Sequence, residues 1–479
     1  MMYDYDTVDT FQVACAVPID EAKIFLNALE IRYPDYADKF SKFIKHPSYK
    51  LRCTFRKNLP IGIQAINLYR HVKFSSTVYI VITVQPEALC SGHNTNRVFR
   101  CTPQNVYALQ LHYADAIYDI CPDAFKIDDT DDEFRQETFD LDYQQHDNYP
   151  YPVGLASLPY LGLLITKRVD YSINIHAENK QLALECLSKS YLNPRTHDAK
   201  QEESTPEADE ASAIPDTEPL ATYKNYNLYE KTTVASDCIY DKQHKYDLFG
   251  CSSQQLYDEA ENVIRLETSR RKFAKTWIIK RANLNLSKNE RPMGILPYLE
   301  PVVADYVMRN FIEKLGLQDW YSDTETKKLI DVAVQKGLIK KTVKKSGEER
   351  QNSQRRTILQ DILPIVSQSR GLNKAFKNYQ TGCYTIAKTG KIVEGAADTF
   401  KDYIKLLRTV GIQPYRIPDR REVKHLKNPL KNIVLLGLDH TQLPARITAM
   451  PAVMAMIKKI NAANRRQHRN YTANFNQAT

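Results

Sequence analysis

The chain lacks any apolar run of the roughly 18–20 residues that a membrane-spanning helix requires, so no membrane association is expected. Its start, Met1-Met2-Tyr3-Asp4-Tyr5-Asp6, has neither a basic stretch nor an apolar stretch, so a secretory leader is not expected there. None of the nine cysteines forms Cys-x-x-Cys or pairs with histidine at zinc-site spacing. They read as reduced thiols of a cytoplasmic protein. There is no Walker loop, no dinucleotide fingerprint and no serine-centred nucleophile elbow, which argues against an ATP-driven initiator or helicase. Internal repeats are absent too.

What is present begins with charge. The 479 residues carry a net charge of +9, unevenly spread. Residues 126–147 sum to −7 and residues 196–220 also to −7, whereas residues 421–479 sum to +8. The remainder of the chain is therefore basic, which suggests a polyanionic partner. Composition is that of an ordinary globular protein, with 43% hydrophobic and 26% charged residues, and the length predicts two to four domains.

The first half reads as strands with a few helices. Tyr49 to Arg56, Ser76 to Val84 and Val98 to Cys101 are short β-branched or aromatic runs. Thr102-Pro103 opens a helix whose apolar stripe is Val106, Leu109, Tyr113, Ala116, Ile117 and Ile120. An acidic loop (127–147), a strand from Tyr160 to His176 and a helix from Ala177 to Leu192 follow. Residues 198–220 are Glu-, Ala-, Ser- and Pro-rich and are expected to be disordered. After a strand ending at Lys242, Ser252 or Ser253 caps a short helix ahead of a strand at Val263. Beyond about residue 280 the pattern is helical: Leu296 to Leu315, Thr324 to Leu338, and a stripe at Phe400, Tyr403, Ile404, Leu407 and Val410 stopped by Gly411 and Pro414. The expectation is an α+β fold in three parts: an antiparallel-sheet domain over 1–285, a helical region over 286–425 and a basic tail over 426–479.

Three strands with one polar face each carry the candidate chemistry. Alternate residues of a strand share a face, which aligns Arg168, Asp170, Ser172, Asn174 and His176, and separately Arg265 and Glu267. Cys238-Ile239-Tyr240-Asp241-Lys242 places Tyr240 two residues before Lys242, on the same face if the strand persists. A phenol with a pKa near 10 needs a neighbouring cation or metal to act as a nucleophile. Mg²⁺ (or Mn²⁺) takes oxygen ligands, commonly one or two carboxylates. Asp170 and Glu267 meet that need, with Asn174 and His176 completing or bordering the site. Two structural readings stay open: a core tyrosine beside a snorkelling lysine, and cross-strand ion pairs of Arg168 with Asp170 and Arg265 with Glu267. The turn at Gly92-His93-Asn94 could aim a histidine at the site. Arg270, Arg271, Lys272, Lys275, Lys280 and Arg281, interleaved with Phe273 and Trp277, suit phosphate contact and base stacking.

At these residues the chain resembles the replication initiators of filamentous phages and related plasmids, the gene II/X family. The resemblance runs in order through Val81-Ile82-Thr83-Val84-Gln85-Pro86 with Gly92-His93-Asn94, Arg168-Val169-Asp170, Tyr240-Asp241-Lys242 and Ile264-Arg265-Leu266-Glu267. It covers roughly residues 70–275, with a looser likeness as far as Gly411-Ile412-Gln413-Pro414. It implies a rolling-circle nuclease domain related to the His-hydrophobic-His endonucleases. Tyr240 then falls on the tyrosine that attacks DNA and Lys242 on its companion lysine. Asp170 and Glu267 fall on the acidic positions of the Arg-x-Asp and Arg-x-Glu strands, and Arg168 and Arg265 are expected to contact DNA together with Arg270, Arg271, Lys272 and Lys275. The chain has no His-x-His, Asn174-Ile175-His176 being the nearest approach, and no Tyr-x-x-x-Tyr pair. Tyr246 or Tyr229 could supply a second nucleophile. The implied partners are single- and double-stranded origin DNA, a host helicase and a polymerase, in a bacterial cytoplasm. A plasmid mobilisation relaxase and a non-enzymatic origin-binding protein are the alternatives.

Overall fold

The computed structural model describes residues 8–33, 49–71, 77–122, 154–192, 226–231, 235–271, 294–339, 353–369, 371–386, 390–433, 450–451 and 453. The acidic loop, the segment 198–220, Lys272, Lys275, Lys280, Arg281 and most of the basic tail lie outside them. The architecture is α+β, built on one eight-stranded antiparallel sheet in the order β2-β3-β4-β1-β5-β8-β7-β6. Its strands are β1 (Val8–Pro18), β2 (Tyr49–Phe55), β3 (Ile63–His71), β4 (Thr77–Val84), β5 (Ile165–His176), β6 (Tyr226–Lys231), β7 (Ala235–Asp241) and β8 (Val263–Arg271). Among the described residues no helix is long and apolar enough to cross a membrane.

The alternation in β5 sets the two faces of the sheet. Val169, Tyr171, Ile173 and Ile175 are buried on one side, continuous with Phe11, Val13, Ile80, Ile82, Ile264 and Leu266. Four helices pack on that side: α1 (Ile19–Arg32), α3 (Pro103–Ile120), α4 (Lys180–Ser190) and α7 (Pro301–Leu315). α2 is the short helix Pro86–Ser91, and α5 (Lys242–Phe249) and α6 (Gln254–Glu259) follow β7. The predicted stripe of α3 is buried throughout. Its start is fixed as expected, with Thr102 Oγ1 accepting from the Asn105 amide at 3.2 Å and Pro103 at the first helical position. Ser253 caps α6 in the same way.

Several boundaries differ from the sequence expectation for local reasons. Val98 to Cys101 contributes an isolated bridge, Val8 to Phe99, instead of a strand. Residues 161–163 form a 3₁₀ turn, so β5 begins only at Ile165. Gly92 follows α2, not a strand, and terminates it in a left-handed conformation. His93 accordingly bonds the Ser91 carbonyl at 2.9 Å on an exposed loop.

Beyond the sheet come α8 (Asp323–Gln335), α9 (residues 353–368, with a π-turn at Ile358–Ile362), α10 (Leu372–Thr381) and α11 (Ala397–Thr409). Phe400, Ile404 and Leu407 of the predicted stripe are buried in α11. Two short pairings complete the fold: β9 (Trp320–Tyr321) with β12 (His425–Leu426), and the hairpin β10 (Tyr384–Ile386) with β11 (Lys391–Val393).

The end of α7 shows how the helical part is fastened to the sheet. Arg408, without a carboxylate partner among the described residues, donates to the carbonyls of Ser190, Glu313, Lys314 and Leu315 at 3.1–3.2 Å. Gln413 donates to Leu315 O at 2.8 Å. These are the helix-end carbonyls that otherwise go unpaired. Gly316 ends α7 at φ +78°, and a Cβ there would stand 2.7 Å from Arg408 Nε and 2.8 Å from Gln413 Nε2. Gly316→Ala is therefore expected to lose about 2–3 kcal/mol, from positive-φ strain and displacement of these caps. The urea midpoint, read with an unchanged m-value, checks it.

Candidate active site on the polar face of the sheet

The register of the central strands decides which side chains meet. Asn174 lies opposite Arg265 and Ser172 opposite Glu267 on the β5–β8 ladder, while Tyr240 lies opposite Arg265 and Cys238 opposite Glu267 on β7–β8. Paired residues share a face, so Tyr240, Glu267, Arg265, Asn174, Ser172 and Asp170 all stand on the side away from the main core. On this face the Tyr240 hydroxyl donates to Glu267 Oε2 at 2.9 Å. Lys245 Nζ donates to the same phenol oxygen at 3.2 Å and lies 4.7 Å from the ring centroid.

Lys242 does not take the place expected of it. The strand stops at Asp241, whose carboxylate accepts the amides of Gln243 (3.0 Å) and His244 (3.2 Å) as the N-cap of α5 and is gripped by Lys180 at 2.9 Å. Lys242 is thus the first helical residue, buried, with its Nζ 5.1 Å from the Tyr246 ring centroid. Burial, then repulsion from Arg265 and Lys245, pushes its ammonium well below the usual lysine range. The cation on the phenol is Lys245, one helical turn further on.

Arg265 is the hub of the site. It donates to Asp9 Oδ1 at 2.6 Å, Asn174 Oδ1 at 2.9 Å and the Asn96 carbonyl at 2.7 Å. Asn174 donates to that carbonyl at 2.9 Å, and the Tyr246 hydroxyl donates to Asn96 Oδ1. Asp9 reaches this face because the β1–β5 register shifts between Val8 and Thr10, a bulge that turns an extra residue toward the site. Burial works against the Asp9 charge, but Arg265, Lys242 and Lys245 hold its carboxyl below the usual carboxylate range. Glu267 goes the other way: burial pushes it up, Lys245 opposes this, and Asp170 and Asp9 add to the rise. Tyr240 is pushed well above an ordinary phenol by burial and by Glu267, so it rests as a neutral donor.

Asp170 pairs with Arg168 at 2.8 Å and accepts from Thr10 Oγ1. Its Oδ1 and the neighbouring Ser172 Oγ are buried with no hydrogen-bond partner among the described residues. Of the sequence alternatives, the Arg168–Asp170 pair forms, whereas Arg265 takes Asp9 as its carboxylate instead of Glu267. His176 sits exposed at the strand end. Arg270 projects to the reverse face, where it lies 3.7 Å from buried Asp237, itself paired with Lys314 of α7 at 2.6 Å. Arg265 is 1% exposed, so it presents nothing to a surface ligand in this state. Arg271 stands on the site face, opposite Arg168. Side chains of β6, including Tyr229, lie outside the described set. Among the described residues, no group of three or more His, Cys, Asp or Glu stands together as a metal cluster.

Asp9, Asn96, Lys245 and Tyr246 join the site although sequence reasoning did not assign them roles there, apart from Tyr246 as a second nucleophile. Lys245 alone left a trace: it lies five residues after Tyr240, just past a Tyr-Asp-Lys in which Asp is a helix cap. No family model, no curated protein and no solved structure matches this chain.

Proposed function

We propose that the chain is a site-specific nicking and joining enzyme that starts rolling-circle replication of a phage or plasmid, working in the cytoplasm of a bacterial host. The observation that carries this reading is one phenol hydroxyl held between a carboxylate and an ammonium: Tyr240 to Glu267 at 2.9 Å and Lys245 to Tyr240 at 3.2 Å. The sheet arrangement then serves as the nuclease domain.

In this mechanism Glu267 accepts the phenolic proton as the Tyr240 oxygen attacks the scissile phosphorus in line. A Tyr–O–P bond forms, the P–O3′ bond breaks, and the departing 3′ oxygen takes a proton from solvent. Lys245 stabilises the phenolate character that develops on the attacking oxygen. A carboxylate raised toward the working pH is a suited proton acceptor, and burial with Asp170 and Asp9 nearby raises Glu267 in that sense. The freed 3′-OH primes a polymerase. Its later attack on the phosphotyrosine restores the phosphodiester without ATP, because the ester energy is retained.

Asp170 would hold a Mg²⁺ or Mn²⁺ ion, whereas Glu267, the other ligand expected from the sequence, is engaged with the phenolic proton in this mechanism. The fit rests on the buried Asp170 Oδ1, which has no hydrogen-bond partner among the described residues. When bound, such an ion neutralises charge on the scissile phosphate. Asn174 is committed to Arg265, which leaves it a bordering residue in this reading.

A second reading, an origin-binding protein without cleavage, is favoured by one observation: Tyr240 is 1% exposed. Under the nicking reading, the polar face must open to admit a strand while α5 keeps Lys245 against the phenol. Supercoiled DNA of the replicon that encodes the chain separates the two. The enzyme converts it to open circles with Mg²⁺; a binder leaves it supercoiled. The nicking rate should also fall as pH drops through the raised Glu267 value, since the acceptor must be ionised. Glu267→Gln should lower the rate and remove that acid limb. Intact supercoils at every pH and metal tested would end the enzymatic reading.

A further inference from the structure

The three helices after the sheet and the hairpin behind them form a recognisable order. α8 is followed by α9, which ends at Gln368, then, with three residues between, by α10, which begins at Leu372, then by the β10–β11 hairpin. Two helices joined by a turn of three or four residues containing glycine are the helix-turn-helix arrangement. Gly371 stands between the helices at φ +145°, a backbone state that L side chains rarely adopt, and a Cβ added there would lie 3.5 Å from the Lys189 backbone. Leu372, Ala375, Phe376 and Tyr379 of α10 are buried at helical spacing. Phe376 and Tyr379 pack on Phe400 of α11, with ring centroids 5.7 and 5.4 Å apart.

The opposite face of α10 is left open. Lys374, Lys377 and Thr381 are exposed there, and the helix sequence, LNKAFKNYQT, contains no acidic residue. Neither lysine makes an ion pair with another described residue, whereas most cations of the site are paired; Lys391 of the hairpin, for contrast, is held by Asp361 at 2.8 Å. A helix about 10–12 Å across with one packed stripe and one cationic stripe fits the roughly 12 Å width of a B-DNA major groove.

We infer that α10 is a duplex-DNA recognition helix, with Lys374 and Lys377 on the phosphates beside the groove it enters. The inference stands on the geometry of α9, α10 and the paired strands β10 and β11 and does not depend on the chemistry of Tyr240.

The probe is a mixed-sequence 30-base-pair duplex, and the readout is the dependence of affinity on salt for the full chain. Each phosphate neutralised contributes about −0.9 to the slope of log K against log salt. Lys374→Ala with Lys377→Ala should weaken binding and make that slope shallower by about two. The Lys→Arg pair should keep both. Lys336→Ala, at the far end of α8, should change neither. Unchanged affinity and slope in the Lys374/Lys377 double alanine variant would overturn the inference, as would a loss equalled by Lys336→Ala. Nicking is scored separately, by adduct formation on single-stranded oligonucleotide. Failure of duplex binding with intact adduct, or the reverse, then tells which of the two readings has fallen.

Discussion

Tyr240→Phe is expected to abolish the covalent protein–DNA adduct while leaving duplex binding in place. Phenylalanine keeps the buried ring and removes one oxygen, so packing in β7 is preserved. The lost hydrogen bonds to Glu267 and Lys245 cost about 1–2 kcal/mol, too little to unfold a domain of this size. Removing a nucleophile, by contrast, costs on the order of 10⁴-fold or more in rate. Denaturing gels of the chain trapped on a suicide oligonucleotide, with mass-spectrometric mapping of the linked peptide, give the readout. An adduct that persists in the variant assigns the chemistry elsewhere, and Tyr246, whose hydroxyl bonds Asn96 on the same face, is the residue to examine first.

Arg265→Leu is expected to be the most destabilising single change at the site. The guanidinium is 1% exposed and gives hydrogen bonds to Asp9, Asn174 and the Asn96 carbonyl. Leucine leaves Asp9 as a buried carboxylate without its partner, which costs about 3–5 kcal/mol. The pH dependence has a definite sign. In the native chain Asp9 is held below its ordinary value, so its ionised form contributes stability above about pH 4 that is lost as pH falls through the depressed value. In the variant the Asp9 carboxyl rises above its unfolded value, and the penalty present near neutral pH shrinks on acidification. Urea midpoints near pH 7 and pH 5 should therefore converge toward the wild type in acid. Adding Asp9→Asn should recover part of the loss. A variant equally destabilised at both pH values would show that lost packing, not the stranded carboxylate, dominates.

The pattern of the sheet was written in local sequence. Alternation assigned Arg168, Asp170, Ser172, Asn174, Arg265 and Glu267 to one face and Val169, Tyr171, Ile173, Ile175, Ile264 and Leu266 to the other, as observed, because a strand's side-chain period is two. Caps at Thr102 and Ser253 and the stripe of α3 were likewise legible, since each depends on residues within one or two turns. The misplacement of Lys242 has the same local origin. Asp241 competes for the amides of Gln243 and His244, and a good N-cap ends a strand as surely as it starts a helix.

Which polar groups meet was a different matter. Asp9 lies 256 residues from Arg265 and reaches it through a bulge whose register shift has no marker in the sequence. Asn96 enters from a loop. Arg270 turns to Asp237 and α7 because Thr268 and Arg270 continue the buried side of β8, so a run of basic residues is divided between two faces. The sequence by itself determined the faces of the strands, the helix ends and the tyrosine on the polar side. Tertiary structure alone decided that Lys245 and not Lys242 touches the phenol, that Asp9 neutralises Arg265, and that Glu267 is thereby left to Tyr240. The reason is physical: secondary structure follows from contacts a few residues apart, whereas charge pairing in a buried site depends on strand register and loop position, which only the assembled sheet fixes.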